Sequence, residues 1–223
     1  MATIQHKDLP ESVLHEPKGA STANAGDVYV SDGAGSGSWA TVDAIGSGTA
    51  TAGQLLVADG SGGTTYAQPH GWASYKDNAS AQTFTTTAAK LSIDGLGSTT
   101  EIGYLPEGVT ALWDTAADKI IASGLGDSYI VRIDLPITAV TGSASILELE
   151  LDIGGGATPS IVIVDRQISV AAGSNKVVSV SFGLFSLSTF VANGGQIFLK
   201  SDANTVQVTA PSVLIQRVSQ GTV

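Results

Sequence analysis

An all-β chain is what this sequence predicts: an extended N-terminal arm, short β-hairpin repeats, then an antiparallel β-sandwich of the jelly-roll kind, assembled as a trimer. Three observations lead there. The stretch Ile146-Leu147-Glu148-Leu149-Glu150-Leu151-Asp152-Ile153 alternates apolar and acidic residues, so a strand would have one oily and one acidic face. A helix would scatter the three acids around its cylinder and break the apolar stripe. Hydrophobic residues make up 43% of the 223, yet only 13% are charged. Gly, Ser, Thr and Ala fill the difference, which favours a turn-rich β protein. From Ala73 onward, strand-like runs follow one another across Gly, Asn, Ser and Pro turns with no helical crossover between them, as in a sandwich rather than a parallel sheet.

Residues 1–20 hold two of the three histidines, two of the seven prolines and the charged run His15-Glu16-Pro17-Lys18. Pro10 and Pro17 lock φ and bias the residues before them toward extended backbone. The segment is too polar to fold alone, and it reads either as a tail or as an extended docking peptide anchored by Ile4, Leu9, Val13 and Leu14.

Residues 21–69 contain a repeat. The run from Thr22 to Gly33 returns 27 positions later as Thr49 to Gly60, and the register holds until Trp39-Ala40 matches Tyr66-Ala67. Each copy predicts a short strand, an Asp-Gly turn and a second strand ending in an aromatic residue. Two such hairpins are too small to stand alone in water, and identical chains wound together would supply the missing neighbours. The loop Asp32-Gly33-Ala34-Gly35-Ser36-Gly37 lacks the Lys-Ser/Thr of a phosphate cradle and the several carboxylates of a calcium loop, so turn chemistry accounts for it.

Gln68-Pro69-His70-Gly71-Trp72 marks a boundary, and residues 70–223 form the predicted sandwich. His70 beside Trp72 reads as a ligand-binding pair or, more simply, as a junction packing on the domain it introduces. Strands are expected at 82–87, at the alternating Leu91-Ser92-Ile93 and at 128–137. The last puts Tyr129, Val131, Ile133 and Leu135 on one face, with Arg132 and Asp134 opposite. A hairpin is expected around 112–121, with Trp113 in the sheet and Lys119 opening the return strand. After a turn at 173–175, Val178, Val180 and Phe182 face one way, and strands at 197–199, 206–208 and 213–215 follow.

Several functions are disfavoured. Ten basic against twenty acidic residues give a formal charge of -10, which repels phosphate backbones, so nucleic acid is not an expected partner. There is no cysteine, hence no disulfide, thiolate metal site or thiol nucleophile. Met1 to Asp8 lacks an apolar core, so no secretory signal is expected. No apolar run approaches the ~20 residues that cross a bilayer, so no membrane insertion is expected either. His6, His15 and His70 lack metal-site spacing, and no Gly-x-Ser-x-Gly elbow occurs. Glu148, Glu150 and Asp152 would fit a glycosidase pair by type, but a solvated strand face explains them without any chemistry. A jelly-roll carbohydrate-active enzyme is the alternative from that class; the reading adopted is no enzyme, no cofactor and no metal.

Leu14-His15-Glu16-Pro17-Lys18-Gly19, with the run Gly26 to Trp39, resembles the N-terminal region of phage virion proteins of the head-fibre and capsid-decoration kind. Gly53 to Gly63 is similar to a phrase common in phage fibres generally. By pattern alone, the last ~150 residues resemble the trimeric jelly rolls of the TNF and C1q type at the tips of such fibres. The resemblance implies a non-enzymatic homotrimer, made in the host cytoplasm and carried on the virion's capsid surface. Its N-terminus would hold the major capsid protein or another virion protein, with Leu9, Pro10, Leu14, His15, Glu16, Pro17, Lys18 and Gly19 as attachment residues. The alternative is a tail-fibre or receptor-binding protein that recognises a host-surface glycan or protein. For the trimer interface the apolar runs offer Ile130, Val131, Ile161, Val162, Ile163 and Val164, because they put oily side chains on both faces of their strands.

Overall fold

The computed structural model describes residues 23–31, 33–34, 37–41, 50–58, 61, 63–78, 80–142, 144–173 and 175–221. Backbone contacts divide the chain into Met1–Tyr66 and Ala67–Val223.

In the first unit the sequence repeat is also a structural repeat. Strand β1 (Asp27–Ser31) pairs antiparallel with β2 (Gly37–Thr41). Strand β3 (Leu55–Ala58) likewise forms a two-stranded sheet with β4 (Thr64–Ala67). The same turn precedes each hairpin. Asp27 N–H donates to the Asn24 carbonyl while Asn24 N–H donates to Asp27 Oδ2. Gln54 and Thr51 repeat both bonds, with Gln54 Oε1 as the side-chain acceptor. Gly26 and Gly53 sit between the partners at φ of +96° and +92°, which glycine adopts without steric cost. The repeat therefore conserves an acceptor rather than a charge. Tyr29 and Trp39, opposite in register, meet edge to face at 5.5 Å, a favoured aromatic geometry.

In the second unit two antiparallel sheets face each other. The first is built on β10 (Ser128–Val140), with β13 (Lys176–Phe185) along one side. On the other side β15 (Val206–Thr209) and β16 (Ser212–Ser219) lie end to end. Outside them run β6 (Ala81–Phe84) on β15 and β5 (Gly71–Lys76) on β16. The second sheet runs β12 (Val162–Val170), β11 (Ser145–Asp152), β14 (Gly195–Ser201). Short strands β7 (Ala89–Lys90) and β9 (Lys119–Ile120) pair with β14, and β8 (Trp113–Asp114) pairs with β9. The chain changes sheet after β6, β9, β10, β12, β13 and β14, the connectivity of a jelly roll. Consequently β12 and β13 each end a sheet, and both leave one edge unpaired among the described residues.

Alternation decides what lies between the sheets. Tyr129, Val131, Ile133, Leu135 and Ile137 of β10 are buried against Leu147, Leu149 and Leu151 of β11 and Ile197 and Leu199 of β14. Val180 and Phe182 of β13 join the same core, with Val178 packed on it. The expected hairpin at 112–121 forms with Trp113 opposite Ile120 and Asp114 opposite Lys119.

Three local expectations are corrected. Leu91-Ser92-Ile93 has both apolar side chains in the core but forms no strand. Gln82 takes the place of a ladder, accepting from Ser92 N–H at 2.9 Å and donating to the Ser92 carbonyl at 2.7 Å. Helix α1 (Ser188–Asn193), six residues long, interrupts the run of strands and buries Phe190. Asp152 is not on a solvated face. The β11–β12 register slips after Leu151, and Asp152 becomes fully buried. Its carboxylate accepts from the N–H groups of Gly154, Ser160 and Ile161 at 2.9, 2.7 and 2.5 Å.

Candidate interaction surface

The attachment residues Leu9, Pro10, Leu14, His15, Glu16, Pro17, Lys18 and Gly19 lie outside the described residues. The interface residues are described, and they divide. Val131 points into the core of its own chain and is 0% exposed, so its side chain is already spent there and is withdrawn from the interface set. Val164 is partly buried against the same core. Ile130, Ile161, Val162 and Ile163 are outward, at 41–47% exposure.

The outward residues belong to a larger apolar edge. Phe185 is 75% exposed, Leu187 66% and Val177 62%. Between β12 and β13 the sandwich opens into a cleft of about 270 Å³. Ile163 and Val164 line it from β12, and Gly183, Leu184 and Phe185 line it from β13. Ile153, Leu187 and Phe190 complete the lining, so every side chain there is apolar. Phe185 and Leu187 were absent from the sequence-based set although the signal was present. If Val178, Val180 and Phe182 face inward, the alternation that says so turns Val177 and Phe185 outward.

Charge is arranged elsewhere or cancelled locally. On the outer face of the first sheet Arg132 Nε reaches Asp134 Oδ1 at 2.9 Å, and Ser179 Oγ donates to the same oxygen. On the second sheet Lys200 Nζ lies 2.9 Å from Glu148 and 3.1 Å from Glu150. Hydrogen bonds from Lys200 to Glu148 and Glu150 raise the Lys200 pKa, and the two acids belong to an ion cluster rather than an open solvated face. Asp202 is held below the usual carboxylate value by hydrogen bonds from Ser145 Oγ and Ile146 N–H. At one end of the sandwich Asp127 and Arg217, both buried, approach to 3.6 Å. Asp127 also accepts from Tyr129 Oη and Gly221 N–H, while Arg217 Nε donates to the Pro69 carbonyl. This network ties Pro69 to Arg217 of β16 and Gly221 to Asp127 just ahead of β10. Burial pushes the Tyr129 phenol up.

Trp72 lies in β5 and stacks on Tyr104 at 5.0 Å and 16°. Among the described residues no three of His, Asp and Glu come together as a metal cluster. No described helix is long and apolar enough to cross a membrane.

No protein family matches the sequence, and no curated protein does. Solved structures that resemble the fold include Eiger TNF from S. frugiperda, at 10% identity and a TM-score of 0.39, covering 70% of this chain and 96% of that one. The PRD1 vertex protein P5 is similar at 13% identity and a TM-score of 0.41, with 67% and 96% covered. A third is a structure of infectious bursal disease virus, Gx strain, at 7% identity and 0.33, with 75% of this chain and 36% of that chain covered. Likenesses at these identities and scores bring no activity or partner to this chain.

Proposed function

We propose that the protein is a structural component of a phage virion: a homotrimer on the capsid surface, a decoration or head-fibre protein that displays its C-terminal sandwich. The observation that carries the reading is the repeated hairpin ahead of a sandwich with an uncovered apolar edge. Val28, Val30, Leu55 and Leu56 of the hairpins are 40–50% exposed, and isolated two-stranded sheets are marginal in water. Both parts of the chain therefore call for neighbours, and closed symmetry among identical chains supplies them to both. The resemblance of Leu14–Gly19 and Gly26–Trp39 to head-fibre proteins supports the particle and the side of it.

Attachment falls to residues 1–20, with Leu9 and Leu14 as anchors, His15, Glu16 and Lys18 as polar contacts, and Pro10 and Pro17 holding the chain extended up to Gly19. A segment of this kind loses conformational entropy when it binds, so one copy holds weakly. Three copies bind strongly because the second and third dock at high effective concentration. The partner is the major capsid protein or a neighbouring virion protein.

Particles lacking the protein, mixed with a chain lacking residues 1–20, test this reading. The shortened chain is expected to keep its oligomeric mass and fail to decorate the particles. Decoration equal to that of the full chain overturns the assignment. Gold-labelled full-length protein found at the tail tip rather than on the shell would instead favour a receptor-binding fibre.

A further inference from the structure

On β5 the side chains of Ala73 and Tyr75 are in the core, so alternation turns Trp72 and Ser74 to the outer side of the first sheet. Gln216 stands opposite Trp72 in β16 and is exposed on the same side. Beyond β5 the sheet edge is covered by a loop. Ser74 and Glu101 exchange both backbone hydrogen bonds at 2.8 Å, and Trp72 N–H donates to the Tyr104 carbonyl at 2.8 Å. Residues paired in this way share a face, so Glu101 is on the side of Ser74 and Trp72. Gly71 admits the loop, because a Cβ there would stand 2.5 Å from the Tyr104 carbonyl oxygen.

Tyr104 is therefore fixed by its backbone, with one ring face laid on Trp72 at 5.0 Å and 16°. The residue is nevertheless 54% exposed. Its hydroxyl and the Gln216 side-chain amide have no partner among the described residues, and Glu101 spends one oxygen on Gly103 N–H at 2.8 Å. Together these groups both donate and accept, and none of them is a cation. The carboxylate opposes an anionic ligand. Two rings in a parallel stack present a flat face rather than the cage that encloses a quaternary ammonium. What fits is a ring with one apolar face and hydroxyls around its rim.

We propose that Tyr104, backed by Trp72, is the platform of a binding site for an uncharged hexopyranose unit of a glycan. The C–H face of the sugar packs on the tyrosine ring, as apolar surface does on an amphipathic aromatic side chain, and Gln216 and Glu101 take its hydroxyls. A few placed polar groups beside an apolar surface are the usual means of orienting a small ligand. The site is complete within one chain, so it goes beyond the reading as a virion component and does not depend on it.

The test measures binding of the full-length protein to immobilised neutral gluco-, manno- and galacto-oligosaccharides. Sialylated oligosaccharides and phosphocholine serve as charged comparisons. Binding to at least one neutral set, and to neither charged probe, is expected. Tyr104→Ala should weaken it about tenfold or more, equivalent to ~1.4 kcal/mol, with the circular-dichroism signal kept. Gln216→Ala should also weaken it, Tyr104→Phe should cost less than Tyr104→Ala, and Ile102→Ala, in the same loop, should change nothing. No binding to any neutral set overturns the proposal, as does a folded Tyr104→Ala that binds like the parent. Equal losses in Ile102→Ala and Tyr104→Ala mean a general oily patch, and a preference for phosphocholine means a cation site; either result overturns the sugar assignment. Should Tyr104→Ala fail to fold, undiminished binding by both Gln216→Ala and Tyr104→Phe overturns it instead. Decoration of particles by the Tyr104→Ala chain is expected to be unchanged, which separates this site from attachment.

Discussion

Asp152 shows how one side chain decides a local backbone path. Its two oxygens take three N–H donors from the loop that leads into β12, so the buried charge is satisfied without a cation. Asp152→Asn keeps the shape but turns an amide group toward those donors and leaves one unpaired. The cost is expected to be ~1–3 kcal/mol, read as a lower urea midpoint at unchanged slope; an unchanged midpoint means the loop holds itself. Tyr129 provides the pH readout. Its phenol is raised by burial, opposed by its bonds with Ser123 and reinforced by Asp127. A raised phenol stabilises the fold below its unfolded value near 10 and loses that contribution as pH rises through the folded value. Lys200, also raised, acts in the same direction. Asp202, lowered, contributes above its unfolded value and loses that contribution as pH falls. Of the five tyrosines, Tyr129 should ionise last in an absorbance titration, together with unfolding. Tyr129→Phe should remove the last step; its persistence in that variant would assign it elsewhere.

At the scale of elements, β14 and α1 depend on each other. Gly195 starts β14 where an added Cβ would stand 2.7 Å from Phe190 Cε2 and 3.1 Å from Leu151 Cδ1. The glycine is there for close approach: it lets the one buried residue of α1 reach the sheet. Gly195→Ala should therefore cost ~1–3 kcal/mol by overpacking, measured by denaturant unfolding. A cost near zero would show that α1 shifts freely and does not fix the end of the sandwich. The strand pattern in β10, β11 and β13 was open to sequence reading because each side chain's face follows from its neighbour's. The Leu91–Ile93 segment shares that pattern and yet is not a strand, since its backbone groups go to scattered partners: Ser92 to the Gln82 side chain, Leu91 N–H to the Ile197 carbonyl, and Ile93 N–H to Asp118. Alternation reports the direction of side chains and is silent on which partner takes the hydrogen bonds. Helix α1 was invisible for a different reason: six residues are too short for a 3.6-residue period to declare itself.

The whole molecule combines a strong negative charge with a neutral, oily edge. Near pH 7 the formal charge of -10 on each chain makes copies of the protein repel one another. As pH approaches the sequence pI of about 4.5, that repulsion fades and particles should associate. Turbidity on titration from pH 7 to 4.5 is expected to rise. A flat trace would show that covered surfaces rather than charge keep the particles apart.

What the sequence by itself determined were features set by near neighbours along the chain. These include the inward faces of Tyr129 to Leu135, of Leu147 to Leu151 and of Val178 to Phe182. They also include the paired hairpins of the 27-residue repeat and the return at Trp113–Lys119. Each follows from a period of two or from a turn residue, and neither needs knowledge of a distant partner. Tertiary structure decided everything that depends on where strands end up. The slip after Leu151 buried an acid that alternation placed outside. Above all, β12 and β13 became neighbouring free edges because the chain crosses between sheets six times. That crossing order is a property of long-range packing, in which loops give up chain entropy against the burial of one core, and no local pattern of residues encodes it.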